Sequence, residues 1–178
     1  MAAALLTEFA PAERSPAEEI ARQRRYFAGQ PFFEEILQFV PDPVLIVNRN
    51  RQIVYANRAF LAMAGSTEIT GLVSLRPGEA MGCRHARKAA ARCGTTRCCR
   101  SCGMTRAILQ GQSGRDAVEE CRLTVQRDGA EEALDLRVWA HPTEWRHERF
   151  TLLALTNIAD EKRRAFLERI FQIGRAHV

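Results

Sequence analysis

The stretch Val44-Leu-Ile-Val-Asn-Arg-Asn-Arg-Gln-Ile-Val-Tyr-Ala-Asn-Arg-Ala-Phe60 decides the fold. Val44 to Val47 is a short apolar run that reads as a buried strand, and Asn48-Arg49-Asn50 reads as a turn because Asn tolerates tight backbone geometry. Gln52 to Tyr55 is a second strand, so the two form a hairpin. Asn57 then stands where a helix N-cap is needed, for a helix over Arg58 to Ala64 closed by Gly65.

Working outward toward the N-terminus, Phe32, Phe33, Ile36, Leu37 and Val40 have helical spacing over Phe32 to Phe39, and Pro41-Asp42-Pro43 breaks that helix. Before it, Ser15-Pro16-Ala17-Glu18 has the form of a capping box, which predicts a helix from Pro16 to Phe27 ended by Gly29. Toward the C-terminus, Ser66 to Cys98 shows little periodicity and reads as loop with short helical turns. A helix follows from about Cys99 to Leu109. Three strands come next: Val118 to Arg127, a turn at Asp128-Gly129, Ala133 to His141, and Phe150 to Ile158. In the middle one Leu134, Leu136, Val138 and Ala140 share one face, opposite Asp135, Arg137 and Trp139. Asp160 to Phe171 closes the pattern as an amphipathic helix striped by Phe166, Leu167, Ile170 and Phe171. The class is α+β, with five strands and flanking helices. Trp139 and Trp145 read as sheet packing.

The chain has 178 residues, 46% hydrophobic and 26% charged, which suits one packed domain with helical extensions. Met1 to Glu8 carries no basic leader, and no run of about 18 uncharged apolar residues exists. A cytoplasmic chain without a membrane span is expected. The net charge of +5 is uneven. Between Arg76 and Arg106 stand eight basic side chains and one acid, Glu79, so that window carries +7 and the rest of the chain −2.

The same window holds five of the six cysteines: Cys83, Cys93, Cys98, Cys99 and Cys102. In a cytoplasmic protein such a cluster points to metal or redox chemistry rather than to disulfides. Cys83, Cys93, Cys99 and Cys102, spaced C-x9-C-x5-C-x2-C, are the candidate ligands of a metal centre, because zinc and a cubane cluster each take four such donors. A Cys-x-x-Cys step at a helix start lets two sulfurs reach one ion, and the helix dipole favours thiolates there. His85 and Cys98 are alternates: the one reads more often as a surface group, the other as a spare thiol beside Cys99. Cys121, in a strand, reads as a buried structural thiol. The basic residues interleave with the thiols and read as support for thiolates. With no aromatic among them, a nucleic-acid partner is not expected, and a basic zinc module binding nucleic acid ranks behind a metal-binding sensor and a structural zinc module. No Ser/His/Asp set, phosphate loop or carboxylate pair is present, so the chain does not read as an enzyme.

Three motifs in this order resemble a PAS sensor domain: Leu37-x-x-Val40-Pro-Asp-Pro-Val-Leu-Ile-Val47, Ile53-Val-Tyr-Ala-Asn-Arg-Ala-Phe60, and Thr156-Asn-Ile-Ala-Asp-Glu-Lys-Arg163. Asn157 stands where the family usually has Asp. Arg76-Pro-Gly-Glu-Ala80, Cys83-x-His85, Cys93-Gly-Thr-Thr96 and Cys99-x-x-Cys102-Gly103 resemble a cysteine-bearing PAS subgroup found ahead of bacterial histidine-kinase cores. The resemblance implies a five-stranded antiparallel sheet with an N-terminal helix and a C-terminal signalling helix. It divides the chain into an N-terminal helical extension (1–31), a PAS domain (32–158) with a Cys-rich insertion (76–106), and a signalling helix (159–171). Residues 172–178 resemble a non-native tail, after which a kinase would be missing. It further implies a sensory role with a histidine-kinase core as output, while the apolar stripe of the C-terminal helix, too exposed for a lone helix, implies a homodimer formed through that helix. An iron–sulfur cluster is favoured over zinc, and haem or flavin is not expected. The alternative is a structural zinc PAS module that serves dimerisation.

Overall fold

A computed structural model describes residues 7–127 and 129–175, the last side chain described being that of Ile170. Asp128 of the expected turn, the Phe171 side chain and the last three residues lie outside it. The hairpin is formed by β1 (Val44–Asn48) and β2 (Ile53–Ala56). Asn48 Oδ1 accepts from the backbone N–H of both Asn50 and Gln52 at 3.0 Å, which closes the turn, and Arg51 takes a positive φ of 63° there. The remaining strands are β3 (Ala117–Arg127), β4 (Ala130–Trp145) and β5 (Glu148–Asn157). The sheet order is β2-β1-β5-β4-β3, every neighbouring pair antiparallel.

Seven helices flank the sheet among the described residues: α1 (Ala17–Ala28), α2 (Pro31–Phe39), α3 (Arg58–Met63), α4 (Pro77–Ala80), α5 (Arg84–Lys88), α6 (Gly103–Gln112) and α7 (Ala159–Arg175). Asn57 caps α3 as expected, its Oδ1 accepting from Phe60 N–H at 3.0 Å. The same oxygen accepts from Val44 N–H at 2.9 Å, and the amide nitrogen donates to the carbonyls of Leu37, Val40 and Asp42. One buried Asn therefore ties the end of α2, the start of β1 and the start of α3 together.

The main core lies between the sheet and α3–α6, around Leu45, Ile53, Phe60, Met104, Ile108, Leu136, Val138 and Leu153. Leu134, Leu136, Val138 and Ala140 face inward as the alternation requires, whereas Trp139 and Trp145 stand half-exposed. A second cluster of Ile20, Phe27, Ile46, Val54, Tyr55 and Phe150 seats α1 on the outer face of the sheet.

Two local expectations are corrected. Ser15 does not cap α1: Pro16 holds the N-cap position without a side-chain bond. The Ser15 N–H donates to Gln52 Oε1 at 2.6 Å and its hydroxyl to Glu19, because the hairpin turn competes for it and buries it. The helix expected from Cys99 begins at Gly103 instead, since Arg97–Ser101 forms a 3-10 turn and Cys102 has extended backbone. The C-terminal helix continues through Arg175.

Candidate metal centre

The cysteine segment folds against β3. Gly82, at a φ of 74°, lies close to the strand, and its carbonyl accepts from Gln126 N–H at 3.2 Å. Cys83 then pairs with Val125 in an isolated bridge. Further on, Gly103 packs so tightly that a Cβ there would stand 2.1 Å from the Glu120 carbonyl oxygen. That contact brings Cys102, the N-cap of α6, onto Cys121 of β3, with 3.6 Å between the two sulfurs. Gly78 fills the same role for Cys93, whose sulfur would stand 2.7 Å from a Cβ at that position.

These close approaches surround one cavity of about 280 Å³. Cys83, Cys93, Cys99 and Cys102 all line it, together with His85, Cys98, Gly78 and Met104. The four candidate ligands are thus brought to one place. Both alternates reach its wall, His85 half-buried and Cys98 exposed. All six cysteines are free thiols, and among the described residues no three His, Cys, Asp or Glu side chains converge on a single point. Cys99 Sγ is 3.2 Å from Thr96 Oγ1.

Burial dominates the electrostatics. It pushes the Cys83 and Cys93 thiols up, eased at Cys83 by the backbone N–H groups of Ala86 and His85. Cys102 moves the other way. The hydrogen bond shared with Cys121 pulls it down first; burial opposes this, and Thr105 and Met104 at the start of α6 add further donors. Cys121 is pushed up, first by that hydrogen bond with Cys102 and then by burial.

Two buried cations stand behind the thiols. Arg76 is wholly buried and donates to the carbonyls of Asn50, Ala91, Cys93, Pro11 and Glu13. Burial, with Arg51 and Arg14 nearby, lowers its pKa to about 10, so it stays charged at neutral pH. Arg51 is also pulled down by burial and is held up chiefly by Cys93, while its Nε has no hydrogen-bond partner. A clustered thiol set backed by buried guanidinium groups, one with an unspent donor, suits an anionic thiolate centre. The expected support from the basic window is therefore partly relocated: Arg76 belongs to that window and Arg51 does not. Arg84, Arg87, Arg100 and Arg106 instead bond to Glu131, Gln126, the Glu8 carbonyl and Glu119.

Sequence reasoning missed Cys121 as a neighbour of the site. Its signal was the alternation along β3, which turns Cys121, Leu123 and Val125 inward together.

The far side of β3 meets the exit helix. Glu120 Oε2 is 3.2 Å from Lys162 Nζ, and Glu120 Oε1 is 3.4 Å from Arg137. Arg137 also holds Glu161 at 2.7 Å, and Lys162 holds Asp135 at 3.0 Å. Asn157 Oδ1 accepts from Ala159 N–H at 3.0 Å, so this residue caps the turn into α7. Beyond it Phe166, Leu167 and Ile170 are exposed.

The fold is that of PAS domains. The PAS domain of BvgS from Bordetella pertussis is 13% identical, with a TM-score of 0.52 over 84% of this chain and 98% of that one. The PAS domain of an HTR-like protein from Haloarcula marismortui is 15% identical, with a TM-score of 0.50 over 78% and 98%. That of nitrogen regulation protein NR(II) from Vibrio parahaemolyticus is 22% identical, with a TM-score of 0.49 over 72% and 98%. No curated protein matches the sequence. Residues 32–98 match the family model described as PAS domain. No helix among the described residues is long and apolar enough to cross a membrane.

Proposed function

We propose that this PAS domain is a cytoplasmic sensory module whose thiol pocket holds a metal centre, an iron–sulfur cluster or zinc, and whose exit helix carries the state of that pocket to a histidine-kinase core. The observation that carries the reading is that Cys83, Cys93, Cys99 and Cys102 all line one cavity, whose β3 wall begins at Arg122, two residues along the strand from Glu120 at the base of α7. Such a centre, when bound, supplies an occupancy or oxidation state that follows its surroundings.

The chain's own part is mechanical. The 83–102 segment is pinned to β3 at Cys83 and at Gly103, so a change in how its thiols are held pulls on Glu120 and Cys121. Glu120 shares Lys162 and Arg137 with Asp135 and Glu161, and these pairs set the seat of the first turn of α7. A relay of this kind needs two states of different stability, and the exposed pairs at the base of α7 are weak enough to be exchanged. The exposed stripe Phe166, Leu167 and Ile170 is the surface through which two copies pair. The module binds and relays, with no chemistry of its own.

The test is protein purified without oxygen, with its ultraviolet–visible spectrum recorded and iron, sulfide and zinc assayed on the same sample. Metal bound in proportion to protein, and lost when Cys99 and Cys102 are both replaced by Ser, is the expected result. Protein without any metal, or full metal content in that double variant, overturns the reading.

A further inference from the structure

One thiol pair at the site includes a residue outside the cysteine segment. Cys102 Sγ and Cys121 Sγ are 3.6 Å apart. Four sulfurs placed tetrahedrally around one zinc ion, at about 2.3 Å each, lie about 3.8 Å from one another. In a four-iron cluster each cysteine binds a different iron, which holds the sulfurs farther apart. The pair thus has the spacing of one edge of a mononuclear site.

The elements that carry the other thiols lie beside this pair. Cys121 is buried on the inward face of β3, next but one to Leu123, which lines the cavity. Cys83 is seated on the same strand through its bridge to Val125. Gly103 keeps the start of α6 pressed on the backbone of Glu120 and Cys121, where any larger residue would separate the two sulfurs. Cys99 is joined to Cys102 through one turn, the Cys102 N–H donating to the Cys99 carbonyl at 3.2 Å.

We infer that Cys121 is a metal ligand, and that Cys102 and Cys121 together bind a single tetrahedral ion of the zinc type, the remaining positions being filled from Cys83, Cys93 and Cys99. The inference rests on the reading of this pocket as a metal centre and adds to it the ligand from β3 and the nuclearity.

The test uses the full chain, reduced and free of oxygen, titrated with cobalt(II) and competed with zinc(II). Thiolate-to-cobalt charge-transfer absorbance reports the number of sulfur ligands. Cys121→Ser should bind at least about 100-fold more weakly than wild type, since even the loss of an outer partner costs 10–100-fold. Cys121→Ala should behave alike, and either variant should lose intensity in step with Cys102→Ser. A measurement on the unaltered protein guards against a folding defect: with cysteine Cβ carbons labelled, zinc should shift the Cys102 and Cys121 signals together. Wild-type affinity and intensity in Cys121→Ser, or a Cys121 signal unmoved by zinc, overturns the inference and leaves the metal centre standing. Iron and sulfide bound as a cluster does the same. Failure of the wild type to bind any of these metals overturns both.

Discussion

Gly103→Ala tests the contact on which both the pocket and the proposed relay depend. The new methyl carbon would stand 2.1 Å from the Glu120 carbonyl oxygen and 2.7 Å from its carbon, and both are backbone atoms of a central stretch of β3. Ordinary contact begins near 3.4 Å, so the start of α6 must back away by about 1.3 Å. A flexible side chain could swing aside; a strand hydrogen-bonded to β4 over its whole length cannot. Overpacking of this kind costs about 1–3 kcal/mol, sometimes more. Ala is a better helix former than Gly and returns up to about 1 kcal/mol, less at a first helical position than in the interior.

The net loss is therefore about 2 kcal/mol, or roughly 4–8 °C in Tm for a chain of this length. Gly71→Ala is the control: nothing lies within 4 Å of a Cβ there, and its Tm should stay within about 2 °C of wild type. Scanning calorimetry of the metal-free proteins gives both values. The same displacement would draw Cys102 from Cys121, so Gly103→Ala should also weaken zinc binding. A Gly103→Ala protein that melts with the Gly71→Ala control would refute the close approach of α6 to β3.

Asn57→Ala removes a wholly buried amide with partners on three elements, and should cost about 3 kcal/mol, read as a lower urea midpoint at unchanged slope. Glu148 joins β5 to α1: although burial opposes it, hydrogen bonds from Gln23, Tyr26 and Arg22 hold its carboxyl below the usual carboxylate range. Its stabilisation is present above the unfolded pKa and lost as pH falls through the lower folded one. Glu148→Gln should therefore melt below wild type at pH 7, with the difference closing below about pH 4; a gap independent of pH counts against the pairing. Arg137→Ala should leave Tm nearly unchanged, because its carboxylate pairs are exposed, yet speed hydrogen exchange in the first turn of α7. Unchanged exchange there would mean that Arg137 does not seat the helix.

Legibility from the sequence followed the range of the interactions. The β1–β2–α3 unit was readable because its determinants are local: an Asn turn, apolar runs and the Asn57 cap lie within 17 consecutive residues. The first residues of β4 were not, since Ala130, Glu131 and Glu132 have no apolar alternation and join the strand only by pairing with β3. Ser15 misled for the converse reason. Its local pattern is that of a cap, but Gln52, far along the chain, takes its N–H. The thiol pocket was legible in its four spaced cysteines and in the Gly that follows them. Cys121 and Arg51 were not, because one sits in an ordinary strand and the other in a hairpin turn, and only the tertiary fold carries them to the pocket.

That β3 should join pocket and exit helix follows from the period of a strand. Successive residues point to opposite faces, so Cys121 turns toward the thiols and Glu120 toward Lys162 and Arg137 with one peptide bond between them. A helix offers no such adjacency, since residues on its opposite faces are separated by the helix body. The register that produces it is held on both sides. β4 sets Glu120 opposite Arg137 and Cys121 opposite Leu136, and the Cys83–Val125 bridge holds the other edge. A slip by one residue would exchange the faces and put a carboxylate among the thiols. On the proposed relay, rigidity in β3 and weakness in the ion pairs at the base of α7 are complementary: the strand would transmit a displacement without absorbing it, and the exposed pairs are where the displacement would be expressed.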